Sequence, residues 1–167
     1  MTKHTIPTDH DIHLDEELLF PRLDADDSFG IYLYQKGYHL DIEFDSTGDS
    51  NIIPIIRAAY WDAFNVGVLD AGVNLLRIIM IALCNYKLTN PNDKELPLLD
   101  PLHYILERLL FAEHPAGEYY EALGYMLGIM SNELTSEESH ELGLDLMTDL
   151  ALDDNPYALD FFSMFCD

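Results

Sequence analysis

Helix-start and helix-stop signals recur through residues 51–167, and they constrain the fold of this chain more than any other feature. Pro54 suits a first helical turn, and the apolar stripe that follows it ends near Gly67. Asn155-Pro156 is another start signal, because a side-chain acceptor followed by a first-turn proline is typical of a helix N-terminus. The spacing predicts helix, tight turn, helix, three times over. We therefore expect a mainly α fold of antiparallel helical hairpins stacked in one domain.

The middle of the chain supplies the remaining helices. Val73 to Cys84 is apolar nearly all round, which predicts a buried central helix. Arg77 lies inside it, so we expect a buried guanidinium that is paired with a carboxylate. Asp100, which is followed by a proline, is expected to cap a helix that ends near His114.

A further helix is expected over residues 118–131. Gly124 and Gly128 lie four positions apart in it, and each costs about 1 kcal/mol in a helix relative to alanine. We therefore expect both glycines to mark close contact with a neighbouring helix.

The N-terminal third is less regular. Residues 1–28 are acidic and predict an N-terminal arm and lead-in, of which about the first dozen residues are mobile; residues 29–167 are then a single α-helical domain. Residues 31–44 are rich in tyrosine and isoleucine and favour a short β-hairpin that turns at Gln35-Lys36-Gly37. A helix over the same residues stays open.

Residues 135–154 predict a helix with one acidic side. Thr135 and Glu138 have the spacing of a capping box, in which each side chain accepts the other residue's amide. At about 100° per residue most of the acidic side chains fall on one arc, opposite Met147 and Ala151. The candidate partner-binding residues are Glu137, Glu138, Glu141, Asp145, Asp149, Asp153 and Asp154.

Charge limits the choice of partner. The formal net charge is −23, and residues 109–167 hold 13 carboxylates and no lysine or arginine. Nucleic acid and anionic membranes would be repelled, so we expect a basic protein as partner. An acidic host proteome, as in halophiles, would give the same charge without a functional meaning.

The composition fits a soluble, cytoplasmic protein. With 49% hydrophobic residues the chain can form a real core. No apolar segment of a secretory signal is visible at the N-terminus, and the run from Val73 to Cys84 is too short to span a bilayer. The two cysteines offer no disulfide framework.

A carboxylate-bridged metal site is the main catalytic alternative. Glu137 with His140, and Asp100 with His103, place a carboxylate and an imidazole one turn apart, as in di-iron bundles. Both pairs fall in first turns, where acidic residues are favoured by the helix dipole anyway. Asp9 to His13 could also chelate a metal. Because no nucleotide-binding motif or nucleophile elbow is present, we expect no catalytic residues, no metal and no cofactor.

Part of the chain resembles a known repeat family. Glu121-Ala122-Leu123-Gly124, a helix ending at Leu150-Ala151, and Pro156-Tyr157-Ala158-Leu159 are similar to the helix-pair pattern of Sel1-like and TPR-like repeats. Asp154 stands where those repeats usually have the turn glycine, and Gly143 where they usually have alanine. The resemblance implies an α-hairpin stack that binds protein.

Two non-catalytic functions follow from these observations. In the first, the acidic side engages a basic protein, as an immunity protein engages a toxin or a DNA mimic engages a nuclease or DNA-binding protein. In the second, a Sel1/TPR-like adaptor binds a protein or peptide in a groove. One helix carries a carboxylate about every 5 to 6 Å, whereas B-DNA has a charge about every 1.7 Å of axis. Mimicry of a duplex therefore requires several acidic edges or a homodimer.

Overall fold

The computed structural model of the protein describes residues 28–93 and 95–165. Within these two ranges the chain is mainly α, as predicted, and no residue lies in a strand. The elements are α1 (Ser28–Thr47), a 3₁₀ helix (Ser50–Ile52), α2 (Ile53–Asn65), α3 (Leu69–Thr89), α4 (Leu99–Phe111), α5 (Pro115–Met126), α6 (Ser136–Leu152) and α7 (Pro156–Ser163). The predicted arm falls almost wholly outside the described residues.

The β-hairpin favoured for residues 31–44 is wrong, because these residues belong to α1. Gly37, assigned to the hairpin turn, is a buried helical residue. A Cβ atom there would lie 2.9 Å from two ring carbons of Tyr60, so the glycine lets α2 approach closely. Tyr34 and Tyr38 stack at 6.4 Å between ring centroids, one turn apart. Tyrosines in this helix therefore serve contacts between residues four positions apart, and their high number does not indicate a strand.

A polar cluster joins α1, α2 and α3. The guanidinium of Arg77 pairs with the carboxylate of Asp41, and the hydroxyl of Tyr60 donates to the same oxygen at 3.1 Å. The predicted carboxylate partner of Arg77 is therefore confirmed. Its predicted burial is wrong, since the Arg77 side chain is 41% exposed. Among the arginines that the structure describes, Arg108 is the buried one, with 5% exposure.

The chain separates into two compact units, residues 1–78 and 79–167, with the boundary inside α3. In the first unit α1 packs on α2, and in the second α5 packs on α4, α6 and α7. A buried cluster of Ala122, Met147 and Ala158 joins the last three helices. That residues 29–167 form one domain stays a prediction.

One helix among the described residues, Leu69–Thr89, is long and apolar enough to cross a bilayer by length and composition alone. It exceeds the apolar run from which the sequence excluded a span. This is weak evidence, because the core helix of a soluble protein passes the same test.

Two corners of the second unit share one design. Glu113 follows the C-cap of α4 with φ 53°, and Asp154 follows the C-cap of α6 with φ 60°, so both lie in the left-handed region. At each corner the amide two residues after the C-cap bonds back to the last turn of the helix: His114 N donates to Leu109 O, and Asn155 N to Leu150 O, both at 2.9 Å. Both corners are Schellman-type helix ends, in which glycine usually occupies the left-handed position.

Each corner leads directly into the next helix. The side chain of His114 accepts from Ala116 N, and that of Asn155 accepts from Tyr157 N and Ala158 N. The start predicted at Asn155-Pro156 is confirmed. Asn155 Nδ2 also donates to Pro115 O at 2.9 Å, so the two corners are hydrogen-bonded to each other.

The start of α4 differs from the predicted one. The helix begins at Leu99, and its cap is Leu98 with φ 62° and no side-chain cap bond. Asp100 therefore lies inside the first turn, where its charge interacts favourably with the helix dipole.

The two glycines near the end of α5 have different roles. A Cβ at Gly124 would lie 2.5 Å from Met130 Cγ, so the close contact is mainly with the chain just beyond the helix. Gly128 has φ 65° and lies past the helix end at Met126, so its predicted role in helix packing is wrong. The glycine that mediates close helix contact is Gly143, described below.

Candidate functional site

The acidic helix α6 begins at the predicted capping box. Thr135 Oγ1 accepts from Glu138 N at 3.2 Å, and Glu138 Oε2 accepts from Thr135 N at 2.9 Å and from its hydroxyl at 2.8 Å. The amide and then the hydroxyl of Thr135 lower the pKa of Glu138, because both bonds favour the ionised carboxylate. Glu138 thus has a structural role as well as a place in the acidic row.

All seven candidate partner-binding residues are exposed. Glu138, Glu141, Asp145 and Asp149 follow one side of α6 at intervals of three or four residues. Glu137 lies off this arc, Asp153 is the C-cap, and Asp154 occupies the left-handed corner: Glu137, Asp153 and Asp154 therefore flank the row rather than extend it.

The opposite side of α6 is fixed closely on α5. Gly143 is buried, and a Cβ atom there would lie 2.4 Å from Met126 N and 2.6 Å from Ala122 O. Ser139 Oγ donates to Tyr125 O at 2.7 Å, and His140 Nδ1 lies 3.2 Å from Met126 O. Gly143 and these two polar residues thus contribute to the helix contact beside the buried Met147, and a search for apolar stripes detects only Met147.

The two described cations of the second unit are both bonded to the protein itself. Lys87 Nζ donates to Leu127 O at 2.8 Å and to Gly128 O at 3.0 Å, at the end of α5. Arg108 is buried, donates to the Tyr104 hydroxyl at 3.1 Å and lies over that ring. Residue type alone did not reveal either role.

Among the described residues of this unit, the exposed aspartate, glutamate, lysine and arginine side chains therefore all carry negative charge. Residues 79–93 and 95–165 contain 16 carboxylates, of which all but the half-buried Glu121 are exposed. None of the seven candidate carboxylates forms an ion pair with a described lysine or arginine. The row on α6 is accordingly free to meet an external cation.

The metal-site candidates do not come together in the part of the chain that the structure describes. Glu137 and His140 lie on α6, Asp100 and His103 lie on α4, and all four side chains are exposed. No three His, Cys, Asp or Glu side chains within residues 28–93 and 95–165 are placed to hold a metal ion. The stretch Asp9 to His13 lies outside the described residues.

Compared with protein-family models, with curated proteins and with solved structures, the chain matches none of them. The resemblance to Sel1-like and TPR-like repeats therefore stays a prediction from the residues. What can be argued about function rests on the charge, exposure and contacts of the second unit.

Proposed function

We propose that this protein is a non-catalytic binding or inhibitory protein whose α6 carboxylates engage a basic protein surface, as an immunity protein or a DNA-mimic inhibitor does. The observation that supports the proposal is the arrangement of charge in the second unit. Its described cations are bonded internally, and 15 carboxylates remain exposed. A basic toxin, nuclease or DNA-binding protein has the charge that complements such a surface.

Energetic cost gives a second line of support. Like charges three or four residues apart on a helix repel by a few tenths of a kcal/mol per pair, and no described cation offsets this on α6. Glu138 is compensated by its role in the capping box, whereas the carboxylates of Glu141, Asp145 and Asp149 accept no hydrogen bond from the described residues. A partner that supplies lysine or arginine would turn this repulsion into attraction.

The test separates the α6 row from acidity in general. The site variant carries Glu141→Gln, Asp145→Asn and Asp149→Asn. The control variant carries Glu43→Gln, Asp45→Asn and Glu107→Gln, which removes the same number of exposed carboxylates from α1 and α4. Wild type and both variants are immobilised, incubated with host lysate at low salt and eluted with a salt gradient.

We expect one basic host protein to be retained by wild type and by the control variant, and to be lost from the site variant. Its affinity should fall steeply with salt, because the Debye length shortens from about 10 Å at 0.1 M to 3 Å at 1 M. Measured with the purified partner, the site variant should bind at least about tenfold more weakly, mainly through slower association. Equal binding by both variants would contradict the proposal.

A helical-repeat adaptor of the Sel1/TPR-like type is the second candidate. The matched corners at Glu113 and Asp154, bonded to each other through Asn155 and Pro115, favour it. In this alternative the antiparallel hairpins stack and bind a protein or peptide in a groove. Retention of the partner at high salt and by the site variant would favour the adaptor.

A further inference from the structure

The outer side of α6 carries leucines among its carboxylates. Leu142 is 39% exposed and Leu152 is 76% exposed. With about 100° per residue, Leu142 lies about 40° to one side of the line through Glu138, Asp145 and Asp149, and Leu152 about 40° to the other. The two leucines are about 15 Å apart along the helix axis, with carboxylates between them.

One exposed leucine is ordinary on a protein surface. Here two of them lie on one helix face on either side of Asp145 and Asp149, and neither carboxylate has a described lysine or arginine as partner. A surface used only to remain soluble would gain nothing from these two side chains. Their position therefore favours a partner with apolar side chains as well as charge.

Charge complementarity narrows the choice of occupant. A second copy of this chain, with formal net charge −23, would be repelled by the row. Nucleic acid and anionic lipid would be repelled for the same reason. An amphipathic helix with two apolar residues about ten positions apart and lysine or arginine between them fits both the leucines and the carboxylates.

We infer that the outer face of α6 binds a basic amphipathic helix of a protein partner, with Leu142 and Leu152 contacting its apolar residues. This inference rests on the proposed function and deepens it. The carboxylates speed association, because charge complementarity acts mainly on the encounter. The leucines slow dissociation and select the partner, because their buried apolar contacts must be lost before the partner leaves.

The probes are two synthetic peptides of equal length and equal positive charge. One is a lysine-rich amphipathic helix with two leucines about ten residues apart, and the other has glutamine in place of the leucines. Each is labelled with a fluorophore, and its binding to the full chain is measured by anisotropy at low and at intermediate salt. The variants are Leu142→Gln with Leu152→Gln, Leu152→Gln alone, and Ile55→Gln as a control on an exposed isoleucine of α2.

Wild type should bind the leucine peptide at least about tenfold more tightly than the glutamine peptide. The Ile55→Gln control should keep that preference, Leu152→Gln should reduce it, and the double variant should lose it. Thermal melts check that each variant is folded. If the double variant does not fold, the single variant Leu152→Gln still tests the role of the leucines.

Two outcomes overturn the inference in different ways. If both peptides bind equally and the α6 site variant loses both, the basic-partner proposal stands and the role of the leucines is wrong. If the double variant still prefers the leucine peptide, the role of Leu142 and Leu152 is likewise wrong. If neither peptide binds wild type at low salt, both the inference and the basic-partner proposal fail.

Discussion

In the first unit α1 reaches α2 through Gly37, which receives the ring of Tyr60, and in the second unit α6 reaches α5 through Gly143, which receives backbone atoms of Ala122 and Met126. Both helix pairs thus depend on a missing side chain. The two pairs differ in the atoms that contact the glycine. A tyrosine ring can shift, whereas backbone atoms cannot shift unless their helix moves.

The pairs also use their cations differently. Arg77 of the first unit neutralises Asp41, whose oxygen also accepts from Tyr60. Lys87 of the second unit bonds instead to two carbonyls at the end of α5. Both cations therefore support packing, but only Arg77 neutralises a carboxylate, and no described lysine or arginine pairs with the carboxylates of α6.

The largest expected effect comes from the two glycines. Gly143→Ala should lower the free energy of unfolding by about 2 kcal/mol or more, because overpacking outweighs the roughly 1 kcal/mol that alanine gains as a helix former. Gly37→Ala should cost less, since the closest atoms belong to a ring. Urea denaturation with circular dichroism measures both. An equal or larger loss at Gly37 would show that the contrast between ring and backbone is not decisive.

The cations should give the next largest difference. Arg77→Met should cost about 1 to 2 kcal/mol, because it leaves a part-buried carboxylate with fewer partners, and the half-exposed position limits the loss. Lys87→Met should cost about 1 kcal/mol, because neutral carbonyls lose a donor.

A second substitution sharpens this comparison. Asp41→Asn in the Arg77→Met background should recover part of the lost stability, since no unpaired carboxylate remains. The measurement is a double-mutant cycle in urea. Absence of coupling between the two positions, or a larger loss for Lys87→Met, would contradict the assignment of roles.

The smallest effects concern the pH dependence of stability. The first unit should lose stability at high pH, and the second unit should lose it at low pH. Burial, and then the charge of Asp41, raise the pKa of Tyr60 above its ordinary 10.0. Above pH 10 the unfolded tyrosine releases its proton while the folded one keeps it, so stability falls as pH rises. The lowered pKa of Glu138 has the opposite consequence: its contribution is present above the ordinary glutamate pKa and is lost as pH falls through the folded pKa.

Difference measurements isolate each group. The stability gap between wild type and Tyr60→Phe should narrow as pH rises above about 10, and the gap between wild type and Glu138→Gln should narrow in acid. Each variant serves as the control for the other. A gap that stays constant across the range would show that the group is not responsible for the change.

Local signals predicted most of the helices. The capping box at Thr135 and the start at Asn155 were found from the sequence, because a side chain that caps its own helix needs no information about the rest of the fold. The exposure of the acidic row followed from periodicity in the same way.

Features that depend on distant residues were missed. Gly37 looked like a turn residue because the ring that occupies its place, Tyr60, lies 23 positions further along the chain. Gly143 and Ser139 are neither apolar nor bulky, so hydrophobic patterning cannot show their part in the contact between α5 and α6. The internal use of Lys87 and Arg108, on which the charge argument depends, is visible only when the carbonyls and the tyrosine that they contact are placed.

The short corners have a consequence for the rate of folding. Because α4, α5 and α6 each pack on the next helix along the chain, most of the loops that must close in this unit are short. Closing a short loop costs little chain entropy, and proteins dominated by such local contacts fold in microseconds to milliseconds. A partner that arrives with the charge steering expected of the α6 row would therefore meet a surface that re-forms quickly after each local opening.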